Sequence, residues 1–591
     1  MQNPKEYYSS KIATYQEQLK KIQTLLFSSS MIRLAVFLIG VAAIYFLWEN
    51  TRVIIAVIVV EIILFLALVS RHSRLKYKRD FIQEMISINE TEIKVLNRDY
   101  YNLPDGENFN NPLHEYSQDI DLFGRGSFFQ YLNRTGLESG KQKLAALLTA
   151  NSIDGIPEKQ EAAKELSDQP DWRQQFRATA ALVEADYSAS SIINWLNGYK
   201  SFIPKIMKWL PNAFSVASVT VFVLAYLDII SSNLIIWWFF IGLGVSGIYV
   251  KKITNLWTKS SKTQTTFEQY YRLMLLLEEQ EFTSVYLKRE QDKIKSQKAK
   301  ASAIIEQFSK MLGILDQRSN MFVGVFINAF FLSDLRQCFR IEKWIATHAD
   351  EVANWFEVIA FFDAQNSLGN FRFNHPDYSF AAIKSGNHTL KAIDLAHPLL
   401  DPKKAIANDF TIDSEQFFII TGANMAGKST FLRTVSLSIV MSNAGLPICA
   451  KEAIYSPIKL ITSMRTSDSL TDDESYFFSE LKRLQFIVNA IKTDTYFIIL
   501  DEILKGTNST DKAIGSRKFI EKLVASNSTG IIATHDLSLC EAADVLDDVK
   551  NYYFDAQIID DELFFDYTFK KGICQNMNAS FLLRKMNIID S

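Results

Sequence analysis

Phe417-Phe418-Ile419-Ile420-Thr421-Gly422-Ala423-Asn424-Met425-Ala426-Gly427-Lys428-Ser429-Thr430 is an apolar run that stops at a glycine, turns to a second glycine and a lysine, and enters a helical pattern from Phe431 to Met441. A strand, a tight loop and a helix in that order predict a site for a nucleoside triphosphate. Backbone N–H groups from Gly422 through Thr430 are placed to cradle phosphate oxygens at a helix N-terminus. Lys428 supplies positive charge to the β and γ oxygens, and the Ser429 hydroxyl is suited to Mg²⁺.

Further along, Tyr496-Phe497-Ile498-Ile499-Leu500-Asp501-Glu502 is an apolar strand ending in two carboxylates. Asp501 is expected to hold Mg²⁺, directly or through water, and Glu502 to polarise an attacking water. Alone, such a strand says little; after a phosphate loop it becomes specific. A third run, Gly530-Ile531-Ile532-Ala533-Thr534, ends at His535-Asp536, where an imidazole can sense the γ-phosphate. A histidine after a strand is more often packed or capping, and here its company favours the catalytic role. From about Leu395 onward, short β-rich runs alternate with helices, the signature of an α/β domain.

The 591 residues leave room for several domains, and the formal net charge of −3 argues against a wholly basic nucleic-acid coat, so any DNA contact is regional. Four cysteines (Cys338, Cys449, Cys540, Cys574) form no CxxC pair and the 7 histidines show no ligand spacing, which suggests a reducing cytosol and no structural metal. A hydrophobic share of 48% is high for a soluble chain. Four apolar segments account for much of it: Met31–Trp48, Val53–Val69, Ala213–Ile230 and Leu234–Val250. Each is ~17 residues long, the lower limit for a spanning helix. Short links make two hairpins, and Trp48, Trp209, Trp237 and Trp238 lie near segment ends. Lys20, Lys21, Arg71, Arg74, Lys76, Lys78, Arg79, Lys205, Lys208, Lys251 and Lys252 flank the hairpins, so the positive-inside rule keeps both termini and the soluble parts in the cytoplasm of an inner or plasma membrane. Competing readings are a signal peptide for the first pair and core helices for the second, since Glu61 and Asp228 are costly in lipid unless they face a partner or the interface. The shorter run Met321 to Leu332 reads as a core helix.

Residues 80–204 have a helical period with a break from Leu103 to Pro112, and 263–315 reads as one long helical stretch. Its basic subset, Lys288, Arg289, Lys293, Lys295, Lys298 and Lys300, either contacts a phosphate backbone or forms a solvated face, the latter being preferred.

Taken together, Thr421 to Thr430, Asp501 to Asp511 and Ala533-Thr534-His535-Asp536 resemble the ATPase domain of the MutS family of DNA mismatch repair proteins, a branch of the ABC ATPases. Asp472 to Leu481 resembles the family's signature segment, which would make Ser475 reach the γ-phosphate held by a partner protomer and so implies a homodimer through the ATPase domains. His397-Pro398 and Ile406 to Asp409 resemble the lead-in to the nucleotide pocket, and Tyr567 to Met586 the C-terminal helical dimerisation element. Upstream, Asp121 to Phe129 with Leu132 to Thr135, Gly140 and Leu144 resembles the start of the helical core, and Ala360 to Ala364 its last lever helix. Departures are the lack of a Phe-x-Glu mismatch reader, Ala423 and Ala426 in the loop, Ala405 where an aromatic often packs on adenine, and Leu504-Lys505. Ala426 is a problem only if its position needs a positive φ.

The fold implied is an α/β P-loop ABC-type ATPase domain at the C-terminus, preceded by an all-α MutS-like core and lever domain carrying two transmembrane helical hairpins. The layout expected is a cytoplasmic N-terminal helix (1–30), hairpin 1 (31–70), a linker (71–110), the first part of the core (111–204), hairpin 2 (205–252), lever and core helices (253–394) and the ATPase domain with dimerisation helices (395–591). The function implied is that of a membrane-anchored ATPase switch using ATP and Mg²⁺, with a DNA duplex as possible partner. The alternatives are a nucleotide-gated membrane scaffold or an ATP-driven transport component, the last disfavoured by the absence of a Leu-Ser-Gly-Gly-Gln segment.

Overall fold

The computed structural model describes residues 3–49, 51–182, 189–295, 300–316, 318, 321–384, 386, 388–423, 425–465, 476–504, 509–559 and 562–575. The chain opens with two long antiparallel helices, α1 (Pro4–Phe46) and α2 (Thr51–Leu96). Asn3 starts α1 by accepting from the Lys5 N–H, and Pro4 fits the first turn, where its missing N–H costs nothing. Their apolar halves lie open, with Ile39 68% and Ile63 64% exposed, and both helices are long and apolar enough to cross a membrane. Glu61 packs over Gly40 of α1, where a side chain would collide with its carboxyl, so this acid faces the partner helix. The expected linker after residue 70 is instead a continuation of α2 to Leu96, because Ile82, Met85, Ile88 and Val95 recur on one face and are buried.

A helical body follows: α3 (Phe128–Leu132), α4 (Glu138–Thr149), α5 (Ile156–Ser167), α6 (Pro170–Ala181), α7 (Ala189–Asn197), α8 (Leu210–Tyr226), α9 (Asn233–Glu279), α10 (Val285–Lys295), α11 (Ala301–Asp316), α12 (Met321–Phe331) and α13 (Ser333–Asn374). Phe176, Phe267, Phe308, Trp355 and Phe362 centre its core. The single helix expected over 263–315 is broken after Glu279, where Glu165 accepts the Thr283 and Ser284 N–H groups at 2.7 Å each and so starts α10. The second apolar pair is shorter than expected: α8 has 17 residues, and the apolar part of α9 bends by 67° between Asn233–Gly247 and Val250–Ser260. Among the described residues two helices are long and apolar enough to cross a membrane, or three if the bent pair counts as one, rather than the four expected. Asp228 lies exposed in the turn at φ 55, outside either helix.

The C-terminal part is α/β. A small sheet joins β1 (Ala382–Ile383), β2 (His388–Leu395), β3 (Asn408–Asp413) and β5 (Glu452–Tyr455) in the order β1-β5-β2-β3. The larger sheet is built from β4 (Phe417–Gly422), β6 (Lys459–Ser463), β7 (Tyr496–Asp501), β8 (Thr529–Ala533), β9 (Val549–Phe554) and β12 (Lys570–Lys571), ordered β12-β9-β4-β8-β7-β6. It is parallel except at β12. A two-stranded ribbon, β10 (Gln557–Ile559) with β11 (Glu562–Phe564), lies outside it. Helices α14 (Lys428–Asn443), α15 (Tyr476–Ala490) and α16 (Ser509–Val524) complete the unit. Strands β4 and β8 are buried throughout, as their unbroken apolar runs require of a sheet covered on both faces. The helical dimerisation element expected from Tyr567 begins as the edge strand β12, and 576–591 lie outside the described residues.

Candidate active site

Parallel pairing sets the site. Because β4, β8 and β7 are neighbours in one direction, the loops after Gly422, Ala533 and Asp501 all leave the same edge, where ligands of open α/β sheets bind. Gly422 and Gly427 take φ 147 and 103, the second as the N-cap of α14. Met425 takes φ 68, whereas Ala426 is fully buried and does not take a positive φ, so alanine is tolerated there. Asn424 lies outside the described residues.

A cavity of about 750 Å³ opens over this edge, within the range of small-molecule sites. Ala423, Met425, Gly427, Lys428, Ser429, Thr430, Ile406, Asp501, Glu502 and His535 line it, so the structure brings together nearly all the residues singled out in the sequence. Lys428 is 6% exposed and its Nζ donates to the Gly422 and Ala423 carbonyls at 2.7 and 3.0 Å. Burial pulls its pKa below the ordinary lysine range, with the Asp501 and Glu502 carboxylates opposing that shift. An ammonium parked on two carbonyls can transfer to phosphate oxygens.

The Ser429 hydroxyl donates to Asp501 Oδ2 at 2.7 Å. These two oxygens suit a small hard cation that takes its remaining ligands from phosphate and water, and among the described residues no cluster of three or more His, Cys, Asp or Glu side chains is arranged for a metal. Glu502 sits at φ 53 with its N–H bonded to the Ala533 carbonyl at 2.9 Å, which turns its carboxylate to 2.9 Å from His535 Nε2. That same nitrogen is 3.3 Å from Lys428 Nζ. Protonated, Nε2 donates to Glu502; bare, it accepts from Lys428, so the tautomer decides which partner the imidazole holds. Behind the site, buried Glu480 of α15 accepts the Leu504 N–H at 2.5 Å and ties this helix to the loop after Glu502. Ser475, just ahead of α15, and residues 505–508 lie outside the described residues.

The other end of the cavity holds Tyr567, which the sequence did not place there, beside His397 and Asn408 of the expected lead-in to the pocket. Tyr567 (φ 51) lies over the loop, so close that a Cβ at Gly427 would stand 3.1 Å from its ring. Asn408 clamps this segment by donating to the Tyr567 carbonyl at 3.0 Å and accepting the Phe569 N–H at 2.7 Å. His397 is held near pKa 4 by burial and forms a neutral wall. The sequence offers an aromatic-rich stretch around Tyr567 but no hint that it folds back over residue 427.

A family profile described as MutS domain V fits this unit. It matches residues 418–585. That segment of the chain is therefore similar to domain V of MutS proteins. Similar curated proteins include the DNA mismatch repair protein MutS 2 of Halobacterium salinarum, 33% identical over 30% of this chain and 21% of its own length. The MutS protein homolog 4 of Homo sapiens is 30% identical over 31% of this chain and 20% of its own. The DNA mismatch repair protein MutS of Clostridium novyi is 29% identical over 52% of this chain and 32% of its own. The chain thus spans about a third or less of the curated relatives it matches. The MutS domain V segment contains the phosphate loop, Asp501, Glu502, His535 and Tyr567, and begins after Ile406 and His397.

Proposed function

We propose that this chain is a membrane-anchored, MutS-like ATPase that works as a homodimeric conformational switch and engages a DNA duplex. The observation that carries the ATPase reading is the convergence of Lys428, the Ser429–Asp501 pair and the Glu502–His535 pair at the carboxyl ends of three adjacent parallel strands. In this reading Gly422 to Thr430 hold the phosphates of ATP, and Lys428 leaves its carbonyls for the β and γ oxygens. Ser429 and Asp501 hold Mg²⁺, which neutralises charge developing on the phosphates. Glu502 orients a water toward the γ-phosphate, and His535 steadies the Glu502 carboxylate. Ile406 and Tyr567 border the base. Substituting Tyr567→Ala is expected to weaken ATP binding severalfold, from the loss of about 1 kcal/mol of ring contact, with little change in kcat. Titration with a fluorescent ATP analogue checks it.

The duplex reading rests on the relatives, whose names place them in DNA mismatch repair. It is tested by the ATPase rate of the detergent-purified chain with duplex, branched and single-stranded DNA across a salt series. Stimulation that falls steeply with salt supports it, because phosphate contacts release counterions. A rate indifferent to every DNA leaves the second reading, a nucleotide-gated membrane scaffold. One observation favours that second reading: within the basic run of α10, Lys293 pairs with Glu290 at 2.6 Å and Arg289 approaches Glu158 at 3.9 Å, as on a solvated face. Lys298 lies outside the described residues.

Two long apolar helices support anchoring in an inner or plasma membrane with the ATPase in the cytoplasm. If Ser475 completes the partner's site, mixing Ser475→Ala with Lys428→Ala chains restores one working site per mixed dimer. Verified mixed dimers with no recovered turnover would exclude a shared site.

A further inference from the structure

Helix α2 ends in a backbone turn that an arginine has no local reason to occupy. Asn97 bonds back to the Lys94 carbonyl at 3.0 Å and Asp99 to the same carbonyl at 2.9 Å, while Arg98 between them takes φ 65. That left-handed step after a helix is a place for glycine or asparagine, and a long side chain stays there only where its own contacts over-determine it. The contacts of Arg98 lead to the nucleotide cavity. Its Nη1 donates to the Pro398 carbonyl at 2.6 Å, 300 positions away in the chain. Pro398 follows His397 in a turn whose His397 and Leu400 both line the cavity. From within, that turn is shaped by the Leu399 N–H on His397 Nδ1 at 3.3 Å and the Leu400 N–H on the His397 carbonyl at 3.1 Å. The Ala396 N–H on the Cys449 carbonyl at 2.9 Å holds its start. The Arg98 guanidinium ties its middle to the end of α2.

The guanidinium is itself held in place. It lies 5.1 Å from the centre of the Tyr131 ring on α3, and the Tyr131 hydroxyl is 2.8 Å from His375 Nε2. Burial keeps His375 near pKa 4, so its ring is neutral. Its Nδ1–H goes to the Phe371 carbonyl at 2.8 Å, which leaves Nε2 bare to accept from Tyr131. Phe371 belongs to α13, whose Asn370 and Asn374 donate to Glu92 near the end of α2. The ends of α2 and α13 thus form one connected body, and through Arg98 it meets the cavity wall.

We propose that Arg98 is a positioning residue for the nucleotide: it seats the 397–400 turn at the nucleoside end of the cavity and so couples ATP affinity to the placement of the first hairpin, of which α2 is the second helix. The proposal rests on the ATPase reading above. By linkage the effect runs both ways: a displacement of α2 that draws Arg98 off Pro398 weakens ATP binding, and bound ATP resists that displacement. Arg98 does not reach the phosphate end, with Lys428, Ser429, Asp501 and Glu502, so its mark falls on affinity rather than on kcat.

The decisive variant is Arg98→Gly, because glycine accepts φ 65 freely and only the side chain is lost. The full chain in detergent, titrated with a fluorescent ATP analogue, is expected to bind about tenfold more weakly with this change, with kcat at saturating ATP unaltered. Arg98→Lys, which keeps the charge and a donor, is expected to recover part of that affinity; no recovery would count against the hydrogen bond to Pro398. The second readout is a fluorophore on an Arg74→Cys chain, at an exposed position of α2. Its emission is expected to change with a saturating non-hydrolysable ATP analogue, and to stop changing once Arg98→Gly is added. Affinity unchanged in Arg98→Gly but lost in Lys428→Ala would overturn the proposal and leave the ATPase reading intact. Absence of nucleotide binding by the unaltered chain would overturn both. A joint fall of kcat, affinity and melting temperature would make Arg98 a general structural residue, and weaker binding with an intact α2 signal would remove the coupling.

Discussion

In a Mg²⁺-dependent ATPase assay, Lys428→Ala is expected to lose both ATP binding and turnover, while Glu502→Gln is expected to keep binding and to turn over about 10²-fold or more slowly. The difference follows from where each charge sits. Lys428 is a buried ammonium held by two loop carbonyls and His535, none of which neutralises it, so its charge is available to phosphate oxygens from the ground state onward. Removing it also leaves the Gly422 and Ala423 carbonyls without that donor. Glu502 is on the His535 side of the Ser429–Asp501 pair, and in the proposed mechanism it acts only through an oriented water. Its amide keeps the shape and a hydrogen bond to His535 but cannot take a proton. Equilibrium binding and single-turnover hydrolysis on the same preparations separate the two effects. Wild-type turnover in either variant would remove these residues from the mechanism.

The largest stability effect is expected at Glu92, far from the cavity. This carboxylate on α2 is completely buried and accepts from Arg134 Nε at 2.6 Å, Arg177 Nη1 at 3.2 Å, Asn370 at 3.0 Å and Asn374 at 2.8 Å. Tyr8 of α1 donates to Asn374 at 2.6 Å, and Tyr7 donates to Asp171 at 2.8 Å. The base of the first helical hairpin is therefore bolted to the last turns of α13. Glu92→Ala leaves two guanidinium groups facing a void and is expected to cost about 3–5 kcal/mol. Burial raises the Glu92 pKa, but the two arginines and the two amides outweigh it and hold the pKa below the usual carboxylate range. A depressed folded pKa means the stabilisation is complete above the unfolded value and is lost as pH falls through the folded one. Glu92→Gln should therefore be less stable at neutral pH and show a shallower acid transition. Chemical denaturation at pH 7 and at acid pH checks both; an unchanged midpoint would mean the cluster is not holding the elements together.

Local pattern determined a good deal here. The run Phe417 to Thr430 could only be a buried strand, a glycine loop and a helix start, because glycine alone takes φ 103 freely and a four-residue apolar run cannot stay wet. Asp501, Glu502 and His535 were legible for the same reason: each ends a short apolar strand, where a parallel sheet presents its ligands. The first hairpin was visible as hydropathy, though not its continuation to Leu96, since amphipathic helix after an apolar span looks like a linker when read by composition.

Tertiary structure decided what depends on contacts between distant segments. Tyr567 reaches the phosphate loop only because β12 pairs antiparallel with β9 and Asn408 clamps the segment from β3. The acid Glu61 is acceptable in α2 because Gly40 stands opposite, a pairing that no window of neighbouring residues contains. The apolar run at Met321 reads in sequence as a core helix, but the sequence does not say which helices it packs on. Its environment is set by Ser218, Trp238 and Gly242 on other helices, and hydrogen bonds and close backbone approach across a hundred residues are properties of the folded chain.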